Sequence, residues 1–259
     1  MRVQSILLVW LVVLFPLNNF SSYGYEATSS ATRMIKPQAF DLEQEVISST
    51  VEGYLDAFKI ISPDAMKYAL SGYAYLNEQN RICKKDIITI VDFSKPSTEE
   101  RLFVVNLKTK QIIAKSLVAH GRKSGELYAN KFSNSAESFE SSLGFYVAND
   151  TYDGKHGYSL RLDGMEAGFN DNARDRGVVV HGADYVSYNF IHSTGKLGRS
   201  QGCPALPMSN YQQIISLIQG GSCFFIYHPN KYYRTHSPIL KNYNESSLAD
   251  VVTSLSSLD

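Results

Sequence analysis

The spacing of apolar positions changes near residue 86. Between Asp41 and Ile61 they fall at Leu42, Val46, Val51, Leu55 and Phe58, the stripe of an amphipathic helix. SPDAMKYALSGYAYL predicts a second helix. Ser62 can cap it, Pro63 suits the first helical position, and Met66, Leu70 and Tyr73 share one face. From Asp86 the apolar runs become short and β-branched. DIITIVDFS, LFVVNL, IIAKSLVAHG, SSLGFYVAND, GYSLRLDG and RGVVVHGA predict strands broken at glycine, asparagine or aspartate, with Lys108 to Gln111 as a hairpin connection. SNYQQIISLIQGG predicts a helix with Ser209 and Gln212 at capping-box spacing, Ile214, Ile215 and Ile218 as its buried stripe, and Gly220-Gly221 as its stop. CFFIYH is the last predicted strand. Beyond Pro229 no period is strong, and the segment reads as irregular with room for a short helix. The pattern is that of a mainly β (α+β) domain with a helix packed on the sheet.

The same pattern divides the chain. Met1-Arg2 gives a positive start, Ile6 to Phe15 is an apolar run of signal-peptide length, and small or polar residues follow up to Gly24. Residues 1–24 are therefore expected to be a signal peptide, with an uncleaved anchor as the alternative. The run is short for a membrane span, which needs about 20 residues, so no stable span is expected after cleavage. Residues 25–82 read as a linker and a helical element, 83–229 as the main β-rich domain, and 230–259 as an irregular tail. The 25 basic and 25 acidic residues balance, which argues against a nucleic-acid partner.

Export changes the meaning of the three cysteines. They cannot all pair within one chain, and whether Cys83 and Cys223 are joined is left open. Cys203 has neighbours that suit chemistry rather than packing: it lies between Gly202 and Pro204, after Arg199 and Ser200. A nucleophilic thiol needs a base, a group to orient the base, and donors for an oxyanion. His181 ends the Val178-Val179-Val180 run, so it should emerge from a buried strand, and Gly182 could offer its carbonyl to the imidazole. The peptide groups of Gly202 and Cys203 are available for a developing charge. The predicted helix downstream would place Cys203 near a helix N-terminus, which favours a thiolate. His120-Gly121 and His156-Gly157 compete as sources of the base. The three histidines could instead hold zinc, although none has the close pairing of a metal motif. Arg161, Arg176 and Arg199 could each clamp a carboxylate; Arg199 is nearest the cysteine in sequence, and for Arg176 a surface or structural salt bridge is the default.

HGA together with GRSQGCPALP resembles the His-Gly and Ser-x-Gly-Cys signature of the L,D-transpeptidases, the YkuD-like catalytic domain. DFSKPSTEERLFVVNL, AHGRKSGE, FSNSAESFESSLGFY and KHGYSLRLDGMEAGFNDNARDRGVVVHGA extend the likeness from about Ser62 to His228. The resemblance implies a β-rich fold and thioester chemistry on the peptide stems of peptidoglycan, in the periplasm or cell envelope, without a cofactor or metal. It implies Cys203 as nucleophile, His181 as base and Gly182 as the orienting carbonyl, with Ser200 and Gly202 shaping the oxyanion pocket. Arg199, Arg161, His156 and His120 are the expected substrate contacts. The chain departs from many members at Gln201, where histidine is common, and in PAL after the cysteine, where an arginine is common. It also has a longer spacing from His181 to Cys203. An L,D-carboxypeptidase and an inactive wall-binding module are the alternatives.

Overall fold

A computed structural model describes residues 48–49, 51–242 and 245–256. Leu42, Val46 and the apolar N-terminal run lie outside the described residues. Helix α1 spans Pro63–Glu78, and strands β1 (Ile87–Asp92), β2 (Leu102–Asn106) and β3 (Gln111–Ser116) follow. Next come β4 (Gly144–Gly154), β5 (Gly157–Gly164), β6 (Val179–Ala183), α2 (Tyr188–Thr194), β7 (Ala205–Pro207), α3 (Tyr211–Ile218) and β8 (Ser222–Tyr227). Helices α4 (Lys231–His236) and α5 (Glu245–Ser256) close the chain. Every strand predicted from the apolar runs is present.

The strands form one sheet in the order β3-β2-β1-β8-β4-β5-β6-β7. Strands β1 and β8 run parallel, as do β6 and β7; the other pairings are antiparallel. The order places β3 and β7 at opposite edges, yet Ala119, just past β3, bridges to Ala205 in β7, and Gly121 bridges to Ser200. The chain leaving one edge thus stitches to the other, and the sheet curls toward a barrel. This closure matters for function because it brings the 119–124 turn against the segment carrying Cys203.

Burial explains the unbroken apolar runs. Strands β1 and β8 are buried along their whole length, as central strands covered on both faces should be. Strand β3, at an edge, alternates exposed and half-buried positions. Phe145 of β4 stacks on its register partner Phe225 of β8, ring centroids 4.1 Å apart. A Cβ at Gly72 of α1 would fall inside the Phe145 ring, so that glycine lets the helix approach the sheet. Val51, Tyr54, Phe58 and the buried face of α1 belong to the same apolar cluster as the sheet. Residues Glu43–Asp259 form one compact unit, and the N-terminal helical element shares its core.

Local details depart from the sequence reading. Ser62 precedes α1 as expected but makes no cap bond; its hydroxyl donates to Asp92 at the end of β1. Helix α3 starts after Asn210 rather than Ser209, again without a side-chain cap, because the Asn210 amide is bound to Ser116 Oγ. The segment beyond Pro229 is largely helical. Asn230 caps α4 through the Tyr233 amide, and buried Leu248, Ala249, Val252 and Leu255 seat α5 in the main core. The carboxylate of buried Glu166 ties this end down, accepting from the Phe145 amide (2.7 Å), Tyr233 Oη (2.8 Å) and Ser237 Oγ. Cys83 and Cys223 are both free thiols. Among the described residues no helix is long and apolar enough to cross a membrane.

Candidate active site

The parallel ladder of β6 and β7 fixes the relation of histidine to cysteine. His181 is the register partner of Ala205, so Cys203 lies two residues before the position opposite His181. Both side chains border one cavity of about 400 Å³. Val179, at the start of β6, donates its amide to Sγ at 3.5 Å, and Sγ lies 3.5 Å from the Gly177 carbonyl. Cys203 keeps part of its surface open although its sulfur is closely surrounded. Burial raises its thiol above the ordinary value, and the Val179 amide and Arg176 act against that rise.

His181 is 4% exposed, and its Nδ1 is 2.9 Å from the Gly182 carbonyl. A carbonyl only accepts, so Nδ1 carries the proton and Nε2 is left as the acceptor. Burial lowers the His181 pKa, the Gly182 bond raises it, and the neighbouring His156 lowers it. Gly182 is required where it stands, since a Cβ would come within 2.8 Å of Met208 Sδ and of the Tyr211 ring. His156 sits in the turn of the β4–β5 hairpin and stacks on His181, centroids 4.5 Å apart and 25° between planes. That hairpin carries Tyr152, Lys155 and His156 over the cavity.

The turn bearing Cys203 is built by Ser200. Its hydroxyl donates to the Cys203 carbonyl (2.6 Å) and accepts from the Gly202 amide (3.0 Å). The Gly202 N–H is therefore engaged, whereas the Cys203 N–H has no partner among the described residues. Of the two donors read from sequence, the cysteine's own amide is the free one. Gly202 itself has φ +125°, and a Cβ there would lie 2.8 Å from the Glu140 carbonyl oxygen. Cys203 does not enter a helix as expected. It leads into β7, and α3 begins only at Tyr211, so no helix N-terminus acts on the thiol.

The other expected contacts divide. Arg199 borders the cavity, but its Nη1 is held by Glu126 and by the carbonyls of Arg122 (3.2 Å) and Gly125 (3.1 Å). Arg161 does not border the cavity; it pairs with Asp150 and lies 4.0 Å over the Tyr152 ring. His120 is fully buried away from the cavity. Arg101 Nη2 donates to its Nδ1 at 2.8 Å, which makes Nε2 the proton bearer toward the Gly125 carbonyl at 3.2 Å. Burial first and the Arg101 charge second push its pKa down to about 4. It is a core histidine serving a buried arginine. Arg176, for which a surface or structural salt bridge is the default, instead borders the cavity with Cys203 and makes no salt bridge among the described residues. Glu137, Phe139, Lys155 and Tyr185 complete the wall; their sequence neighbourhoods carry no motif, and only the fold gathers them. Among the described residues no group of three or more histidine, cysteine, aspartate or glutamate side chains is arranged to hold a metal ion.

Residues 58–227 match the family described as the L,D-transpeptidase catalytic domain. No curated protein matches the chain. Among solved structures, an L,D-transpeptidase from Mycobacterium smegmatis is similar at 15% identity over 55% of this chain and 59% of that one, with a TM-score of 0.35. An L,D-transpeptidase from Stackebrandtia nassauensis is similar at 14% identity over 58% and 59%, TM-score 0.35. A helical cell shape determining protein from Campylobacter jejuni is similar at 11% identity over 74% and 62%, TM-score 0.37. The chain thus spans under two thirds of the length of these proteins. With the family match covering more than half of its residues, the chain belongs to the L,D-transpeptidase catalytic domain family.

Proposed function

We propose that the protein is a peptidoglycan L,D-transpeptidase that works through an acyl-enzyme on Cys203, with His181 as general base. The observation that carries this reading is the Nδ1 bond of His181 to Gly182, which leaves Nε2 as acceptor on a ring bordering the same cavity as the thiol. Burial disfavours the charged form of both groups. That favours a neutral resting pair, with the proton moving as the sulfur attacks, over a standing thiolate–imidazolium pair.

In this mechanism Sγ adds to the carbonyl carbon of the diamino acid residue of a tetrapeptide stem, and Nε2 takes the thiol proton. The developing oxyanion is met by the Cys203 N–H, which has no competing partner. Collapse breaks the C–N bond, D-alanine departs with the proton from Nε2, and a thioester remains. The side-chain amine of a second stem then attacks the thioester, passes its proton to Nε2, and forms the cross-link as the thiol is restored. Lys155 and Glu137 stand on the cavity wall, and among the described residues neither is in an ion pair. They are suited to a stem's carboxylate and ammonium groups. The apolar run near the N-terminus fits export, so we place this activity in the cell envelope.

The test is product analysis after incubation with disaccharide tetrapeptide. Cross-linked dimers with release of D-alanine support transpeptidation. Trimmed tripeptide monomers alone would mean that water resolves the thioester, and unchanged substrate would mean a binding module.

A further inference from the structure

Arg176 is held in an unusual way for a half-buried cation. Its Nη1 donates to the Ser133 carbonyl (2.8 Å) and Ser142 Oγ (2.5 Å), and its Nη2 to Ser138 Oγ (3.2 Å) and the Glu140 carbonyl (2.8 Å). All four acceptors are neutral oxygens. The terminal N–H groups are thereby used up, so the guanidinium cannot offer its two-pronged end to a substrate carboxylate. Among the described residues no carboxylate is bound to it, and the Glu140 carboxylate acts on its charge only from a distance.

The held segment is one that needs holding. Glu137 and Phe139 both adopt left-handed backbone (φ 55° and 57°), a conformation that costs a non-glycine residue energy and persists only under outside restraint. Phe139 is covered by Arg122, 4.0 Å above its ring. The segment lies against the turn before the cysteine: the Glu140 oxygen is 2.8 Å from the point a Cβ of Gly202 would occupy, and Ser141 Oγ donates to the Gly202 carbonyl at 3.2 Å. Arg176 Nη2 is 3.5 Å from the point a Cβ of Gly202 would occupy. One guanidinium therefore binds the segment and lies beside the turn.

We propose that Arg176 is the positioning residue of this site: it clamps residues 133–142 onto the Gly202–Cys203 turn and sets a positive charge, held in no salt bridge among the described residues, beside the sulfur. The proposal rests on Cys203 being the reactive group. The other groups bordering the cavity do not supply this charge. Arg199 is spent on Glu126, Lys155 is exposed on the opposite hairpin, Glu137 is an anion, His156 stacks on His181, and Tyr185 is a phenol raised to about 12, mainly by burial. Burial raises the Cys203 thiol, and Arg176 is the one charged side chain among the causes that lower it.

The experiment compares alkylation of Cys203 by neutral iodoacetamide and anionic iodoacetate, resolved by peptide mapping, with exposed Cys83 as the reference thiol in the same sample. In Arg176→Gln the iodoacetamide rate at pH 7 should fall about tenfold, the loss expected for removing one nearby charge. The relative preference for iodoacetate should fall with it, and Arg176→Lys, which keeps the charge, should restore most of both. Unchanged Cys203 rates in a folded Arg176→Gln protein overturn the proposal, as does a loss that Arg176→Lys repeats in full. If Arg176→Gln does not fold, the native protein decides: Cys203 must favour iodoacetate over iodoacetamide more than Cys83 does, in a salt-sensitive manner, and equal ratios overturn the proposal. These rates concern the thiol alone. Failure of the transpeptidase reading would appear as absent product with these rates as predicted.

Discussion

Replacing Gly202 by alanine perturbs the site through a single methyl group. At φ +125° an alanine pays for a backbone region that only glycine occupies freely, on the order of 1–3 kcal/mol. The new Cβ would also lie 2.8 Å from the Glu140 carbonyl oxygen. That oxygen is backbone and is held from the other side by Arg176, so it cannot swing aside. Relieving the overlap by moving the turn or residues 133–142 adds on the order of 1 kcal/mol. The expected destabilisation is about 2–4 kcal/mol, or a fall of about 5–15 °C in Tm for a domain of this size. Gly168→Ala is the control: its φ is +80°, with nothing within 4 Å of the added atom, so it carries the strain without the collision. Thermal unfolding followed by circular dichroism gives the stability, and the rate of carbapenem acylation at Cys203 gives the function. Displacement of the turn that carries the nucleophile and its amide should slow acylation about a hundredfold in Gly202→Ala and leave Gly168→Ala unchanged. A Gly202→Ala protein that melts with the Gly168→Ala control and acylates at the native rate would refute the reasoning.

His120, neutral and buried with its pKa near 4, binds its proton more readily in the unfolded chain, where the value is about 6.5. The unfolded state therefore binds more protons between those values, and stability contributed by His120 is complete above about pH 6.5 and lost as pH falls toward 4, about 3 kcal/mol over the window; urea unfolding across pH should show a shallower loss in His120→Gln. His181 must be neutral to act as a base, so the acid limb of kcat/KM should lie below the ordinary histidine value, in line with its lowered pKa, and disappear in His181→Gln. Glu166→Gln sets an amide N–H₂ among three donors that the carboxylate satisfied; a loss of about 1–3 kcal/mol is expected, with faster hydrogen exchange in α4 than in β4.

The strands were legible because each apolar run is buried where it lies, and periodicity reports burial. Strand β7 left no such mark: Ala205–Pro207 is three residues long and exists because Ala205 finds His181 on one side and Ala119 on the other. Helix α2 buries none of its residues, so it has no stripe to read, and only the Ser187 cap and the left-handed Gly195 define it. Helix α5 does carry a stripe, at Leu248, Ala249, Val252 and Leu255, which its serine-rich composition obscured. Within the candidate site, the sequence singled out Cys203, His181 and Gly182, and the fold brings them to one place because β6 carries His181 and Gly182 and Cys203 lies just ahead of the neighbouring β7. His120 shares the local His-Gly pattern with His181, and only the fold, by burying Arg101 against it, separates the two. Arg176 was illegible for the same reason in reverse, since its four acceptors come from a segment more than 30 residues upstream in the chain.

The most direct measurement of the central claim is peptide-resolved mass spectrometry of the protein after exposure to a carbapenem, in native form and as Cys203→Ala. A single acyl adduct on Cys203, absent from Cys203→Ala and formed more slowly in His181→Gln, is the predicted result. Adduct on Cys83 or Cys223 with Cys203 unmodified, or label that survives Cys203→Ala, would contradict the account.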